Sequence, residues 1–389
     1  MFFGQLLSTD AGNIWGKNLN FDSPGSQFVR EHFIGNVIHW MEHYRIDGFR
    51  LDATHAIVDS SKPHVLTEIA REVKKRGGFT IAEDERNLAE LITAESAGGM
   101  GVTGAWADDF HHVVKVALTG ERFAHFRSYE GTPVELLDTV RNGWLFRGQI
   151  YPQWNRERGT ECAHLAPEQF VYCISNHDQA GNRPLGERLN HLISPEAYAA
   201  ASALLCALPY TPMLFMGQEW AASTPFCFFT DHAGEIGRNV SKGRLNEFKH
   251  FGADFGPEVI DKMPDPQELA TFLDSKLNWS DLEEAHHQKM LEVYRTFLAA
   301  RQRELTATVR QRDNWTVELL DGAILALNYK TPRGGILILS DLKGGHTAKL
   351  QGAWSKTLSS LDGLGGGAEI QDDTLNFTKP ETLWLERQK

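Results

Sequence analysis

Positive charge is scarce in this chain. Its 39 lysines and arginines face 51 aspartates and glutamates, giving a formal net charge of −12 over 389 residues. Sequence-independent nucleic-acid binding rests on Lys/Arg contacts to phosphate, so this deficit argues against a nucleic-acid partner. Cysteine is scarce as well. Cys162, Cys173, Cys206 and Cys227 form no C-x-x-C pair or other metal-ligand spacing. Cys173 and Cys206 sit in apolar runs that bury them as small hydrophobes, and a reducing cytoplasm is the expected location. The N-terminal MFFGQLLSTDAG lacks the basic start and long apolar stretch of a secretory signal. Residues 197–217 carry no charge, but Pro209-Tyr-Thr-Pro212 divides them into a short helix and a short strand. Each piece is too brief to cross a bilayer, so the segment is expected in the core and no membrane partner is expected. Repeats and low-complexity tracts are also absent. With 41% hydrophobic and 23% charged residues, disordered and fibrous classes are excluded.

What is present is aromatic surface: 22 Phe, 10 Trp and 8 Tyr. Aromatic faces suit sugar rings, although most such residues in any chain are core. Helical and strand patterns alternate through the first three hundred residues. Phe28, Val29, Phe33, Ile34, Val37, Ile38, Met41 and Tyr44 recur at helical spacing, predicting a helix over 27–44. Strands are predicted at 46–52, 79–83, 103–106, 170–175 and 212–216, with helices at 64–75, 108–118, 199–208 and 284–301 between or after them. Strands separated by helices imply parallel βα units. Polar or acidic residues stand at the strand ends: Asp52, Glu83, Asp108, His177 with Asp178, and Glu219. In a (β/α)8 barrel that end of the strands carries the chemistry. A doubly wound sheet stays open, but a barrel would bring these acids to one axis. Near residue 305 the pattern changes to short strand-like runs at 316–320, 323–327, 335–339 and 382–385, separated by Gly-rich turns. The expected fold is therefore α/β: a partial (β/α)8 barrel over 1–304, comprising five C-terminal βα units, followed by a small all-β sandwich over 305–389. Residues 1–26 offer no convincing strand, so the chain is expected to begin inside a barrel.

Three strings carry candidate chemistry. In Phe49-Arg50-Leu51-Asp52, alternation along a strand points Arg50 and Asp52 the same way. A fixed guanidinium favours the ionised carboxylate that a nucleophile requires, and a structural ion pair is the alternative. Ile81-Ala82-Glu83 ends an apolar strand, where desolvation would keep a carboxyl group protonated as a general acid; a helix-capping acid is the alternative. In Ile174-Ser-Asn-His-Asp178-Gln179 a buried strand runs into four polar side chains, which could equally form a surface turn. Together they place two aspartates and a glutamate on strand ends of one parallel architecture, the equipment of glycoside hydrolysis.

Gly48-Phe-Arg-Leu-Asp-Ala53, Ile81-Ala-Glu-Asp84 and Ser175-Asn-His-Asp178 resemble three signature regions of the α-amylase family of glycoside hydrolases (family 13). Ala82-Glu-Asp-Glu-Arg-Asn87, Asp108-Asp-Phe-His-His112, His177-Asp-Gln-Ala-Gly-Asn182 and Phe215-Met-Gly-Gln-Glu219 with Ser223-Thr-Pro-Phe226 narrow the resemblance to the trehalose-releasing hydrolases within it. Branching enzymes share the three signatures without the DDFHH and AEDERN strings. The resemblance covers most of residues 1–300 and implies a cofactor-free retaining glycosidase acting on maltooligosyl trehalose or a related α-1,4-glucan, cleaving the bond next to the terminal trehalose. It implies Asp52 as nucleophile, Glu83 as acid/base and Asp178 as transition-state stabiliser, with the first two ~5–5.5 Å apart. It implies substrate contacts at Arg50, His55, Asp108, Asp109, His111, His112, His177, Gln179 and Asn182. Asp108 and His112 are i,i+4 neighbours that could pair on a metal, but nothing nearby supplies a third ligand, and no metal is expected. The family's first signature, an Asn-His strand end, is missing, as are the units before it. Two further readings follow: an enzyme completed by a chain supplying the missing N-terminal half of the barrel, and a non-catalytic glucan-binding remnant. An α-1,4-glucan branching enzyme is the third.

Overall fold

The computed structural model describes Leu7, residues 17–250 and residues 255–388. The expectation that no strand precedes the first helix falls mostly on residues 1–6 and 8–16, outside the described ones. The chain divides into two compact units: residues through Asp108 together with Phe146–Val171, and Asp109–Leu145 together with the chain from Tyr172 onward.

In the first unit the periodic apolar stretch forms a helix over Ser26–Tyr44, packed on a second helix, Val65–Lys75, through Val29, Val37, Val65, Ile69 and Val73. His64 caps the second helix, its Nδ1 accepting from the Leu66 amide at 3.1 Å. Three short strands, β1 (Gly48–Leu51), β2 (Phe79–Ala82) and β3 (Gly104–Trp106), pair in parallel in that order. A hairpin of β4 (Gln149–Tyr151) and β5 (Arg156–Arg158) precedes β6 (Phe170–Tyr172), whose first residues pair in parallel with β3. The paired parts of β1, β2 and β3 are shorter than the runs expected to form them. β6 ends at Tyr172 although the buried run continues to Ile174.

In the second unit the Met213 amide donates to the Tyr172 carbonyl at 2.7 Å, bringing in the fifth strand, β7 (Thr211–Pro212). Of the run expected at 212–216 only its start is strand. The uncharged stretch before it lies in a helix, Pro195–Ala207, capped by Ser194 and buried from Ala197 onward. Among the described residues no helix is long and apolar enough to cross a membrane.

The C-terminal part is a sandwich. Five antiparallel strands run in the order β12-β15-β10-β9-β8, namely Trp354–Ser359, Glu381–Arg387, Gly334–Asp341, Ile324–Thr331 and Trp315–Leu320. A three-stranded sheet, β11-β14-β13 (Thr347–Lys349, Thr374–Asn376, Ile370–Gln371), completes it. Leu337, Leu339, Leu375, Phe377, Leu383 and Leu385 join in one core cluster. The central strands are buried on both faces, which is why Ile324–Leu327 and Ile336–Leu339 read as continuous apolar runs rather than alternating ones. The opposite face meets the Pro195–Ala207 helix, where Thr382 Oγ1 donates to the Ala200 carbonyl and the Tyr329 hydroxyl to that of Ala207, both at 2.8 Å. The expected architecture, five barrel strands followed by a β-sandwich, is present. Sequence periodicity missed the helices Pro133–Asn142 and Gly234–His250 and the β4–β5 hairpin.

Candidate active site

Parallel register sets the group of site residues in the first unit. Leu51 pairs with Ala82, and the Glu83 amide donates to the Leu51 carbonyl at 2.9 Å, so Asp52 and Glu83 leave neighbouring strands at the same level. Arg50 holds both. Its Nη1 donates to Asp52 Oδ1 at 2.5 Å and its Nη2 lies 3.0 Å from Glu83 Oε1. The guanidinium rests 4.3 Å over the ring of Trp106, at the end of β3. Alternation along the strand links Arg50 to Asp52 alone; its bond to Glu83 depends on strand register, and no motif marks Trp106.

The two carboxylates differ in solvation. The Asp52 side chain is 76% exposed and that of Glu83 22%. Burial pushes the Glu83 carboxyl above the usual range; the amide of Ala53 and Arg50 pull it down, and Asp52 and Asp108 push it up. The Ala53 amide donates to Glu83 Oε2 at 2.7 Å from a left-handed backbone, φ 44°, which a non-glycine residue adopts only at some cost. Thr54 ties the same turn to the Glu83 carbonyl through its amide (2.9 Å) and hydroxyl (3.0 Å), and to Asp84 Oδ2 at 2.8 Å. Asp84 is in turn gripped by Arg86 through two bonds. His55 follows, half-buried, with its Nε2 3.9 Å from Glu85. Asp108, half-buried at the start of the next helix, is near enough to act on Glu83 electrostatically. Arg50, Asp52, Glu83 and Asp108 thus form one group.

The other expected residues lie in the second unit. His177–Gly181 is one helical turn capped by Asn176, whose side chain accepts from the Gln179 amide at 2.8 Å. His177 and Asp178 are exposed on it, Nε2 and Oδ2 being 3.3 Å apart. Gln179 is hydrogen-bonded to His111, which is buried, and His112 stacks edge-on with Phe126. Asn182 closes the turn and is exposed. Asp109 departs from the expected pattern. Its side chain is fully buried, one oxygen accepting from the Tyr129 hydroxyl at 2.6 Å and the other from the Leu145 amide at 2.7 Å. Such a carboxylate organises its own neighbourhood and presents no exposed surface. Adjacent aspartates on a helix point about 100° apart, and only Asp108 faces outward. Among the described residues the one His/carboxylate group close enough to share an ion is Glu284, His286 and His287, which includes none of the expected site residues.

No protein-family model matches the chain. A malto-oligosyltrehalose trehalohydrolase from Deinococcus radiodurans is 44% identical over 334 residues, 84% of this chain and 53% of that enzyme, and others of the same name share 37–38%. The chain spans about half the length of the curated relatives it matches. A crystal structure from Salmonella typhimurium, provisionally assigned as an alpha amylase, superimposes with a TM-score of 0.83 at 28% identity, covering 99% of this chain and 64% of that one. A 1,4-alpha-glucan branching enzyme from Leifsonia xyli matches more weakly, 26% identical over 53% of this chain and 28% of its own length. By sequence and by fold, the chain belongs to the α-amylase family of glycoside hydrolases and groups there with the malto-oligosyltrehalose trehalohydrolases.

Proposed function

We propose that the chain carries the catalytic carboxylates of a retaining glycosidase that cleaves the α-1,4 bond next to the terminal trehalose of maltooligosyl trehalose. One observation carries this reading: a single guanidinium joins an exposed carboxylate, Asp52, to a desolvated one, Glu83, at the ends of adjacent parallel strands. Asp52 Oδ attacks the anomeric carbon while Glu83 gives its proton to the departing O4 of trehalose, leaving a maltooligosyl ester on Asp52. Glu83, now ionised, takes a proton from water as the water oxygen attacks the same carbon, and Asp52 is released. Desolvation suits Glu83 to the first step and the Arg50 contact steadies its anion in the second. Asp178 and His177 bind hydroxyls of the sugar being cleaved, with Arg50, His55, Asp108, His111, His112, Gln179 and Asn182 as further substrate-side groups. No cofactor enters the scheme. A barrel over 1–304 with a β-domain over 305–389 is the proposed division, and four buried cysteines outside any disulfide support a cytoplasmic location.

We further propose that a polypeptide bearing the remaining βα units covers β1. Two features support it. All four residues of β1 are partly exposed, and Phe28, Trp40 and Tyr44 expose large aromatic surfaces on the neighbouring helix. Incubating the purified chain with maltotriosyl trehalose, with and without the N-terminal half of a relative, tests both ideas. Free trehalose in either mixture supports the hydrolase, and release in the combined mixture alone supports the partner. Transfer of oligosaccharide without trehalose release assigns the chain to branching chemistry. Asp52→Asn and Glu83→Gln should each abolish release with unchanged far-UV circular dichroism; near-wild-type activity in either would sink the assigned roles.

A further inference from the structure

Arg244 of the helix Gly234–His250 reaches back to the His177–Gly181 turn. Arg244, 9% exposed, donates from Nη2 to the Gly181 carbonyl and from Nη1 to Asn182 Oδ1 at 3.1 Å. Its guanidinium is held between Phe248, 4.5 Å from the ring centre, and Phe228, 5.0 Å, and Nη1 also pairs with Glu247 at 3.0 Å. A planar donor fixed on two rings has little freedom to follow a moving partner. The consequence for Asn182 is chemical. Arginine has donors and no acceptor, so the side-chain atom of Asn182 that faces it must be the oxygen. The amide cannot flip without setting NH2 against the guanidinium, and its Nδ2 is therefore the group left to meet a ligand at this exposed position.

We infer that Arg244 is a positioning residue: it anchors the end of the turn that carries His177 and Asp178, and it fixes Asn182 as a hydrogen-bond donor to an oxygen of the substrate. The inference deepens the proposed hydrolase and rests on it for the identity of that substrate. Asn182 then discriminates by donor chemistry. A hydroxyl or ring oxygen placed opposite Nδ2 is accepted, whereas a ligand presenting only a donor would leave both groups unpaired.

Two variants and two readouts test this. Asn182→Asp keeps an acceptor for Arg244, as an ion pair, and removes the outward donor. Its amides over residues 178–183 should exchange hydrogen no faster than in the unaltered chain, while KM for maltotriosyl trehalose rises about tenfold, the equivalent of one hydrogen bond, with kcat changed much less. Arg244→Lys keeps the charge but loses the paired geometry and the ring contacts. Exchange over the same residues should accelerate about tenfold, with other helices unaffected, and KM should rise as well. An unchanged KM in Asn182→Asp overturns the donor assignment, and unchanged exchange in Arg244→Lys overturns the anchor. Should the unaltered chain release no trehalose even with the upstream half supplied, the hydrolase reading fails, and the exchange arm still decides whether Arg244 holds the turn.

Discussion

Asp109 gives the sharpest test of how far a motif can be trusted residue by residue. The DDFHH string assigns it to the substrate; the structure gives it no exposed surface and two donors, the Tyr129 hydroxyl and the Leu145 amide. In Asp109→Asn the amide can offer its oxygen to only one of them, and the other meets NH2. One hydrogen bond is lost and one donor meets an NH2 group, together about 1–3 kcal/mol. Asp109→Ala removes both bonds and costs roughly twice that. Urea unfolding of the full chain, followed by tryptophan fluorescence, should show the midpoint falling with an unchanged slope. Tyr129→Phe removes one donor in advance, so the double variant should lose less than the sum of the singles, with a coupling of about 0.5–3 kcal/mol. An Asp109→Asn variant with an unaltered midpoint and a raised KM would refute the structural assignment and return Asp109 to the substrate.

Two further outcomes follow from burial. The Glu83 carboxyl titrates above its unfolded value, so its contribution to stability is present in full below the unfolded pKa and is lost as pH rises through the folded one. Glu83→Gln should therefore be more stable than the unaltered chain at neutral pH, the gap closing as pH falls from the folded pKa to the unfolded one; thermal melts at pH 4 and 7 with no change in that gap would contradict the desolvated site. In the sandwich, Phe377 is 1% exposed within the core cluster, and Phe377→Ala should cost about 3–5 kcal/mol by calorimetry, a loss under 1 kcal/mol meaning that the two sheets do not pack as described.

What the sequence disclosed, and what it withheld, divides along physical lines. Apolar runs ending in acids announced β1, β2 and β6, because a strand's burial and its polar end are both local properties. Partnership between strands is not local. That Arg50 serves Glu83 as well as Asp52 depends on Leu51 lying opposite Ala82, a register that no window of residues contains. The motif is ambiguous at Asp109 for a related reason: an acidic residue in it has no assigned direction until the helix is known, and one step along the chain separates a half-exposed carboxylate from a buried one. The helix Gly234–His250 escaped because polar and glycine residues blur its periodicity, yet its Arg244 is what fixes the orientation of Asn182. Motifs therefore locate the groups that meet substrate more readily than the groups that aim them. In this chain the aiming falls to two arginines, Arg50 over Trp106 and Arg244 between Phe228 and Phe248, each stacked on aromatic rings and each bonded to a residue whose chemistry depends on its direction. A rigid planar cation seated on a ring is an economical way to hold a carboxylate or an amide in one orientation, since the ring limits the cation's rotation and the cation limits that of its partner.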